Sequence, residues 1–380
     1  MKTTVKGMVF RLGAVTFSLI FALGALELIF YLIYHDREPH GASVPNMPIY
    51  KETSHGRRLR PNLDYGGAWI LQNRLGPVHL ESYVRTNSRG LRGREIAPEK
   101  APGFFRVMFL GDSVTLADYL PEGDTFSYLV GNILSERHSV ETINAGIGDV
   151  GINEEIWVMR ENLDLKPDLV ILGFYLNDSR PPWGFEKEVY RLPRRLIEVS
   201  KILENHSYFY QWVWRRFLVT HYLRSEEGKE DRFQWIQDWQ TLDWKTSRPG
   251  FDRMIANARF DWGAAWRDEE WKEIYAGMDE LRELLAKNQI RFGMIIFPVS
   301  MQVEADFWDD RPQRKMLAYC QAQKIPCLDL LPILRARRTE ELYFDQCHFA
   351  APGQQLISGP IADFIEANFM KNPGNGPQGF

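Results

Sequence analysis

Two hydrophobic patterns divide this chain. From Leu12 to Tyr34 apolar residues run almost without a break, over about the ~20 positions a helix needs to cross a bilayer. From Arg106 onward short apolar runs alternate with longer amphipathic stretches. The runs predict strands at 106–111, 140–145, 168–174, 291–297 and 326–330. The stretches predict helices at 125–137, 152–162, 268–288, 311–323 and 353–369, the last opened by Pro352, a residue favoured in a first helical turn. Strand–helix alternation of this kind argues a parallel sheet with crossover helices. The expected fold is α/β, a flavodoxin-like, doubly wound, five-stranded parallel sheet.

Two regions depart from the alternation. Residues 50–104 read as short strands and turns, with Gly66–Leu71 and Glu81–Arg85 as strands. The polar loop Thr86–Gly93 carries Arg85, Arg89 and Arg92 at or beside it and reads either as structural or as a rim of a site. Residues 180–267 hold Trp183, Trp212, Trp214, Trp235, Trp239, Trp244, Trp262 and Trp266, most of the twelve tryptophans. They read as the core of a helical subdomain, as a platform for sugar or acyl groups, or as a membrane contact. The expected divisions are an N-terminus at 1–11, a transmembrane anchor at 12–34, a linker at 35–50 and a β-rich extension at 51–104. The α/β domain follows in two parts, 105–179 and 268–370, around a helical Trp-rich insertion at 180–267, with a tail at 371–380.

Lys2, Lys6 and Arg11 precede the apolar segment with no acidic residue among them. The positive-inside rule then leaves the N-terminus in the cytoplasm and everything after Tyr34 in the periplasm or outside the cell. A cleaved signal peptide is the rival reading, with Ala22-Leu23-Gly24 as a cleavage site. The apolar run continues well past the ~7–15 residues usual for such a segment, so a retained anchor is preferred. Glu27 lies inside it. A carboxyl in hydrocarbon costs a few kcal/mol unless protonated or paired. Glu27 is therefore either a protonated acid near the interface of a tilted helix or a contact with another membrane segment, such as a membrane-protein partner.

Composition narrows the chemistry. With 380 residues, 44% hydrophobic and 25% charged, the chain can bury a large core. A net charge of −4 suggests no nucleic-acid partner. Three cysteines rule out a disulfide framework. Cys320 and Cys327 fall on a helix and the following strand, neighbours usually ~10 Å apart and beyond disulfide reach, so two buried free thiols are expected. The eight histidines form no His-Glu-x-x-His and there is no Cys-x-x-Cys, so neither a metal nor another cofactor is expected.

Three short pieces supply the parts of an acyl-transfer site. Ser113 follows the 106–111 strand within Gly111-Asp112-Ser113. Asn177 follows the 168–174 strand within Asn177-Asp178. Asp345 and His348 stand three residues apart before the last helix. Groups at the carboxyl ends of parallel strands face the crevice where α/β folds bind ligands. Serine is a poor nucleophile until a base takes its proton. His348 can be that base, Asp345 can orient it, and the Asn177 amide can donate to an oxyanion. Each piece alone is as readily a turn or a helix cap.

Taken together and in order, the pieces resemble the blocks of the SGNH hydrolase, or GDSL esterase/lipase, superfamily. Gly111-Asp112-Ser113 matches the nucleophile block, Asn144-Ala145-Gly146-Ile147-Gly148 the glycine block, Asn177-Asp178 the third block with Gly173 displaced upstream, and Asp345 with His348 the last. The likeness covers roughly residues 80–370. It implies Ser113, Asp345 and His348 as the triad, and an oxyanion hole from the amides of Ser113 and Gly148 and the Asn177 side chain, with Gly146 and Gly151 as alternatives to Gly148. It implies a serine esterase or O-acyltransferase, and the outward-facing anchor suggests a cell-envelope substrate such as an acylated carbohydrate. A catalytically silent binding or assembly subunit of a polysaccharide-modifying membrane complex is the alternative.

Overall fold

The computed structural model describes residues 5–34, 49–53, 56–73, 76–148, 150–179, 199, 203, 207–213, 234–259, 261–269 and 271–370. The helix Val5–Tyr34 (α1) is followed by Tyr50–Thr53 (β1), Gly56–Leu59 (β2), and the strands Asp64–Asn73 (β3) and Gly76–Arg85 (β4). The α/β region opens with Phe105–Gly111 (β5), Ser113–Leu116 (α2), Phe126–Ser135 (α3), Val140–Gly146 (β6), Ile152–Glu161 (α4) and Leu169–Tyr175 (β7). Next come Tyr208–Val213 (α5), Gln234–Thr241 (α6), Arg248–Asn257 (α7), Trp271–Lys287 (α8), Arg291–Phe297 (β8) and Ser300–Glu304 (α9). Arg311–Gln323 (α10), Cys327–Asp329 (β9), Leu331–Arg335 (α11) and Ala351–Ile365 (α12) complete it.

The chain falls into two compact units. The larger comprises residues 49–51, 55–188 and 231–380, and the smaller comprises 1–48, 52–54 and 189–230. In the larger unit five parallel strands lie in the order β6-β5-β7-β8-β9, the expected doubly wound sheet. Its strands are short apolar runs because both faces are covered: every residue of β7 is buried, and so is all of β5 after Phe105. Phe126 of α3 links two strands, its ring 5.3 Å from Phe109 and 5.6 Å from Phe297. Strand order reverses between β5 and β7, and the crevice at the carboxyl ends of those two strands is where such sheets take ligands.

Strands β3 and β4 pair antiparallel from Asp64↔Arg85 to Asn73↔Gly76, longer than the alternating pattern indicated. The Thr86–Gly93 loop is structural. Arg89 pairs with Asp164, and Arg92 is buried against the chain that follows Ser113. Within the 180–267 stretch, residues 189–230 are assigned to the smaller unit and 231–267 to the larger. Trp239, Trp244 and Trp262 are buried in the core of the larger unit, because α6, α7 and the turn Trp262–Trp266 pack there through apolar faces. Trp183 and Trp214 lie outside the described residues, as does the Trp235 side chain. Cys320 and Cys327 are both free as expected, Cys320 buried with its Sγ 3.4 Å from Met294 Sδ and Cys327 only half-buried.

In the smaller unit α1 contains Phe10–Ile33, long and apolar enough to cross a membrane. Its apolar side chains are exposed over most of their length, Phe10, Phe17 and Phe21 by 77%, 71% and 69%. Glu27 meets a segment of its own chain. It accepts hydrogen bonds from the Ser207 hydroxyl (2.6 Å) and from the backbone N–H groups of Tyr208 (2.7 Å) and Phe209 (3.3 Å).

Candidate active site

Ser113 sits where strand β5 turns abruptly into the one-turn helix α2. Asp112 caps that helix, its Oδ1 accepting from the Val114 N–H at 2.9 Å. The turn is tight enough to need glycine beneath it. A Cβ on Gly111 would lie 2.9 Å from the Gly173 carbonyl oxygen and 2.3 Å from Thr115 Oγ1, and one on Gly173 would lie 2.6 Å from the same hydroxyl. Gly111 and Gly173 are register partners on β5 and β7. The displaced Gly173 therefore has a packing role: it is the flat place on which the nucleophile turn rests.

Two side chains hold this turn from outside. Asn144 Nδ2 donates to the Thr115 carbonyl (2.9 Å) and to Ser127 Oγ (3.0 Å), while its Oδ1 accepts from the Gly146 N–H (3.0 Å). The buried Arg92 guanidinium donates to the carbonyls of Leu116, Ala117 and Leu120. Ala117 is left-handed at φ 50° and ψ 43°, a conformation a non-glycine residue holds only when its surroundings fix it. No sequence motif marks Arg92, because its partners are backbone atoms.

The structure brings Ser113, His348 and Asp345 together. His348 Nε2 lies 3.0 Å from Ser113 Oγ, and His348 Nδ1 lies 2.7 Å from Asp345 Oδ2. Asp345 Oδ1 accepts from the backbone N–H groups of His348 (2.7 Å) and Cys347 (2.9 Å), which fixes the carboxylate's orientation. The loop is tied down by the Ser300 N–H donating to the Gln346 carbonyl (2.8 Å) and the Phe344 N–H donating to the His348 carbonyl (2.8 Å). On the far side Gln354 Oε1 accepts from the Phe126 N–H (2.7 Å), and the Tyr119 ring meets the imidazole edge-on at 5.0 Å.

The electrostatics suit a proton relay. Burial works to lower the His348 pKa, but the charge and hydrogen bond of Asp345, with Asp112 and Asp118 further off, raise it to about 9. Burial works to raise Asp345, and the charge and hydrogen bonds of His348 outweigh it, so the carboxyl stays below its usual range. Burial pushes the Cys347 thiol well up, leaving it neutral beside the imidazole. Asp345, Cys347 and His348 offer ligand atoms within 4.8 Å of one another. Their atoms are already engaged in the relay or protonated.

Asn177 follows β7 across the switch point from Ser113. Its Oδ1 is buried with no hydrogen-bond partner among the described residues. Among the three glycines, the Gly146 N–H is taken by Asn144 and the Gly151 N–H by Glu154 Oε2 at 3.4 Å. Gly148 lies against the nucleophile, since a Cβ built on it would be 3.9 Å from Ser113 Cβ. The same Cβ would be 2.2 Å from the Tyr50 hydroxyl, which donates to Asp118 Oδ2 at 2.9 Å. Tyr50 reaches the site from strand β1, far upstream of every motif, and the sequence carried no signal for it. Burial pushes Asp118 up despite that hydrogen bond and the nearby Arg92 charge.

The Ser113–His348–Asp345 relay stands at the carboxyl edge of the sheet, where strand order reverses between β5 and β7. No protein-family model and no curated protein matches the chain. Among solved structures it is similar to an acetyl xylan esterase, at 14% identity over 68% of this chain and 98% of the other with a TM-score of 0.37. It is also similar to a lipase/acylhydrolase from Enterococcus faecalis (14% identity, 69% and 96% covered, TM-score 0.35). A third is the psychrotrophic esterase from Pseudoalteromonas (11%, 69% and 97%, 0.35). At these identities and scores the likenesses carry no argument.

Proposed function

We propose that the protein is a serine esterase or O-acyltransferase working through an acyl-enzyme on ester-linked acyl groups. The observation that carries this reading is the continuous relay from Ser113 Oγ through His348 to a carboxylate pinned by two backbone amides. Ser113 attacks the ester carbonyl as His348 Nε2 takes its proton. Asp345 keeps the other imidazole proton on Nδ1 and stabilises the imidazolium. The amides of Ser113 and Gly148 and the Asn177 side chain meet the oxyanion, where donors act most strongly. His348 then protonates the leaving alcohol, and water or an acceptor hydroxyl resolves the acyl-enzyme by the same steps in reverse.

The apolar α1, with Lys2, Lys6 and Arg11 at its N-terminal end, supports a single-pass protein with its catalytic domain outside the cytoplasm. That location supports ester-linked acyl groups, acetyl above all, of an envelope carbohydrate as substrate. A silent binding or assembly subunit would have no use for a relay held at 3.0 and 2.7 Å. The test is a fluorophosphonate probe on the full chain in detergent, followed by peptide mapping. Labelling is expected at Ser113 and lost in Ser113→Ala and in His348→Ala. Labelling elsewhere, or undiminished labelling in Ser113→Ala, refutes the reading.

A further inference from the structure

Glu27 is an acid within an apolar helix, and the structure shows what it holds. Its carboxylate takes up the Ser207 hydroxyl and the first two free N–H groups of α5. Ser207 Oγ in turn accepts the next, from Tyr210, at 3.0 Å. A helix start leaves its first N–H groups without intrahelical partners, to be met by capping side chains or by water. Here the N–H groups of Tyr208, Phe209 and Tyr210 are all met by protein. Complete internal satisfaction is what a backbone needs where water is missing.

The side chains agree. Helix α5 reads Tyr208-Phe209-Tyr210-Gln211-Trp212-Val213, with four aromatic residues in six positions. Phe30 packs against Phe209 (5.5 Å between ring centroids) and Trp212 (5.2 Å), and Tyr31 packs edge-on against Tyr208 (5.6 Å). Val199 and Leu203, just before, are 51% and 41% exposed. Tyrosine and tryptophan concentrate where a bilayer meets water. Glu27 lies six residues before Ile33, the end of the apolar span, so at ~1.5 Å per residue it is ~9 Å inside that end. That matches the ~5–10 Å depth at which interfacial helices seat their apolar faces.

We propose that α5 is a second membrane element, a short aromatic helix seated in the outer headgroup–acyl boundary and clamped to the anchor by Glu27. Its occupant is phospholipid, argued from continuity with the apolar surface of α1. The proposal rests on α1 being a retained anchor, and it is independent of the esterase reading.

The experiment uses the full chain in phosphatidylcholine–phosphatidylglycerol nanodiscs, with Cys320, Cys327 and Cys347 replaced by Ala and a nitroxide on Tyr210→Cys. Carbonate washing of membranes first checks retention, and release of the chain would show that the anchor reading has failed and take this proposal with it. Dissolved oxygen is expected to relax the label severalfold more, relative to a water-soluble nickel chelate, than it relaxes a label on the exposed Glu136→Cys. Glu27→Leu should cancel that excess while the chain stays carbonate-resistant, and Glu27→Gln, which keeps an acceptor, should restore part of it. Amide hydrogen exchange of wild type and Glu27→Leu, with no label, should show protection of Tyr208–Tyr210 lost in the variant. A nickel-accessible label in the parent chain overturns the proposal, and so does a label shielded from both reagents, which would mean that a protein covers this face. Equal exchange protection in wild type and Glu27→Leu would overturn the clamp.

Discussion

Replacing Asp345 by Asn tests the relay where its geometry is most restrictive. The carboxylate faces three donors: Oδ1 accepts two backbone N–H groups, and Oδ2 accepts His348 Nδ1–H. An amide has one oxygen, and the two backbone N–H groups require it. The new NH2 must then point at Nδ1, which becomes an acceptor, and the imidazole proton moves to Nε2, facing Ser113. In that tautomer His348 cannot accept the serine proton. Turning the amide over would leave two buried N–H groups unpaired, about 2–4 kcal/mol from the usual cost of such groups. At ~1.4 kcal/mol per factor of ten the productive tautomer falls by ~30–1,000-fold. Losing the carboxylate charge opposite the imidazolium weakens the transition state further, for a total near the ~10⁴-fold typical of a triad held in the wrong tautomer. Asp345→Ala leaves the imidazole free to choose, so it should turn over faster than Asp345→Asn although it removes more of the side chain. The assay is p-nitrophenyl acetate hydrolysis by the full chain in detergent, with thermal melts to confirm folding. An Asn variant within about tenfold of wild type, or one faster than Ala, would refute the tautomer argument.

Further outcomes follow from the site. Because His348 is raised to about 9 and must be neutral to act, kcat/KM should climb with pH through that region, and a profile already flat at neutral pH would contradict the raised base. The sign for stability is opposite: the raised His348 stabilises the fold fully below its ordinary 6.5, and that contribution is lost as pH rises through about 9, which melts at the two extremes should register. Asn177→Ala should lower kcat by ~10²–10³ with KM nearly unchanged and should cost no stability, since Asn177 Oδ1 is an unpartnered buried acceptor; a large loss of stability would make the residue structural. Arg92→Met removes the donor to three carbonyls and a buried charge beside Asp118, so urea unfolding should show a loss of about 3–5 kcal/mol, and a loss under ~1 kcal/mol would show that water replaces it. Gly148→Ala drives a methyl into the Tyr50 hydroxyl and breaks its bond to Asp118, so its effect on kcat/KM should be non-additive with Tyr50→Phe by roughly 1 kcal/mol, and strict additivity would separate the two residues.

The sequence by itself determined the elements whose causes are local. Buried strands are apolar runs whatever surrounds them, and all five strands of the sheet appear where those runs lie. That Ser113, Asp345 and His348 come together could be anticipated because each stands at a strand end or loop whose position follows from the alternation of elements. Tertiary structure alone decided the parts that depend on contacts between distant segments. Tyr50 reaches Gly148 and Asp118 across a long stretch of chain, and Arg92 binds carbonyl oxygens, which every residue has and no motif records. That the N–H groups of Gly146 and Gly151 are taken by Asn144 and Glu154 is likewise a matter of hydrogen-bond accounting in three dimensions. Glu27 read as a costly acid seeking a partner, but nothing near it in sequence identified Ser207. The tryptophans spread through 180–267 look alike along the chain, and only packing separated Trp239, Trp244 and Trp262, inside the core of the larger unit, from Trp212 against α1. Hydrophobic patterning says that a side chain will be covered; the contacts between remote segments decide by what.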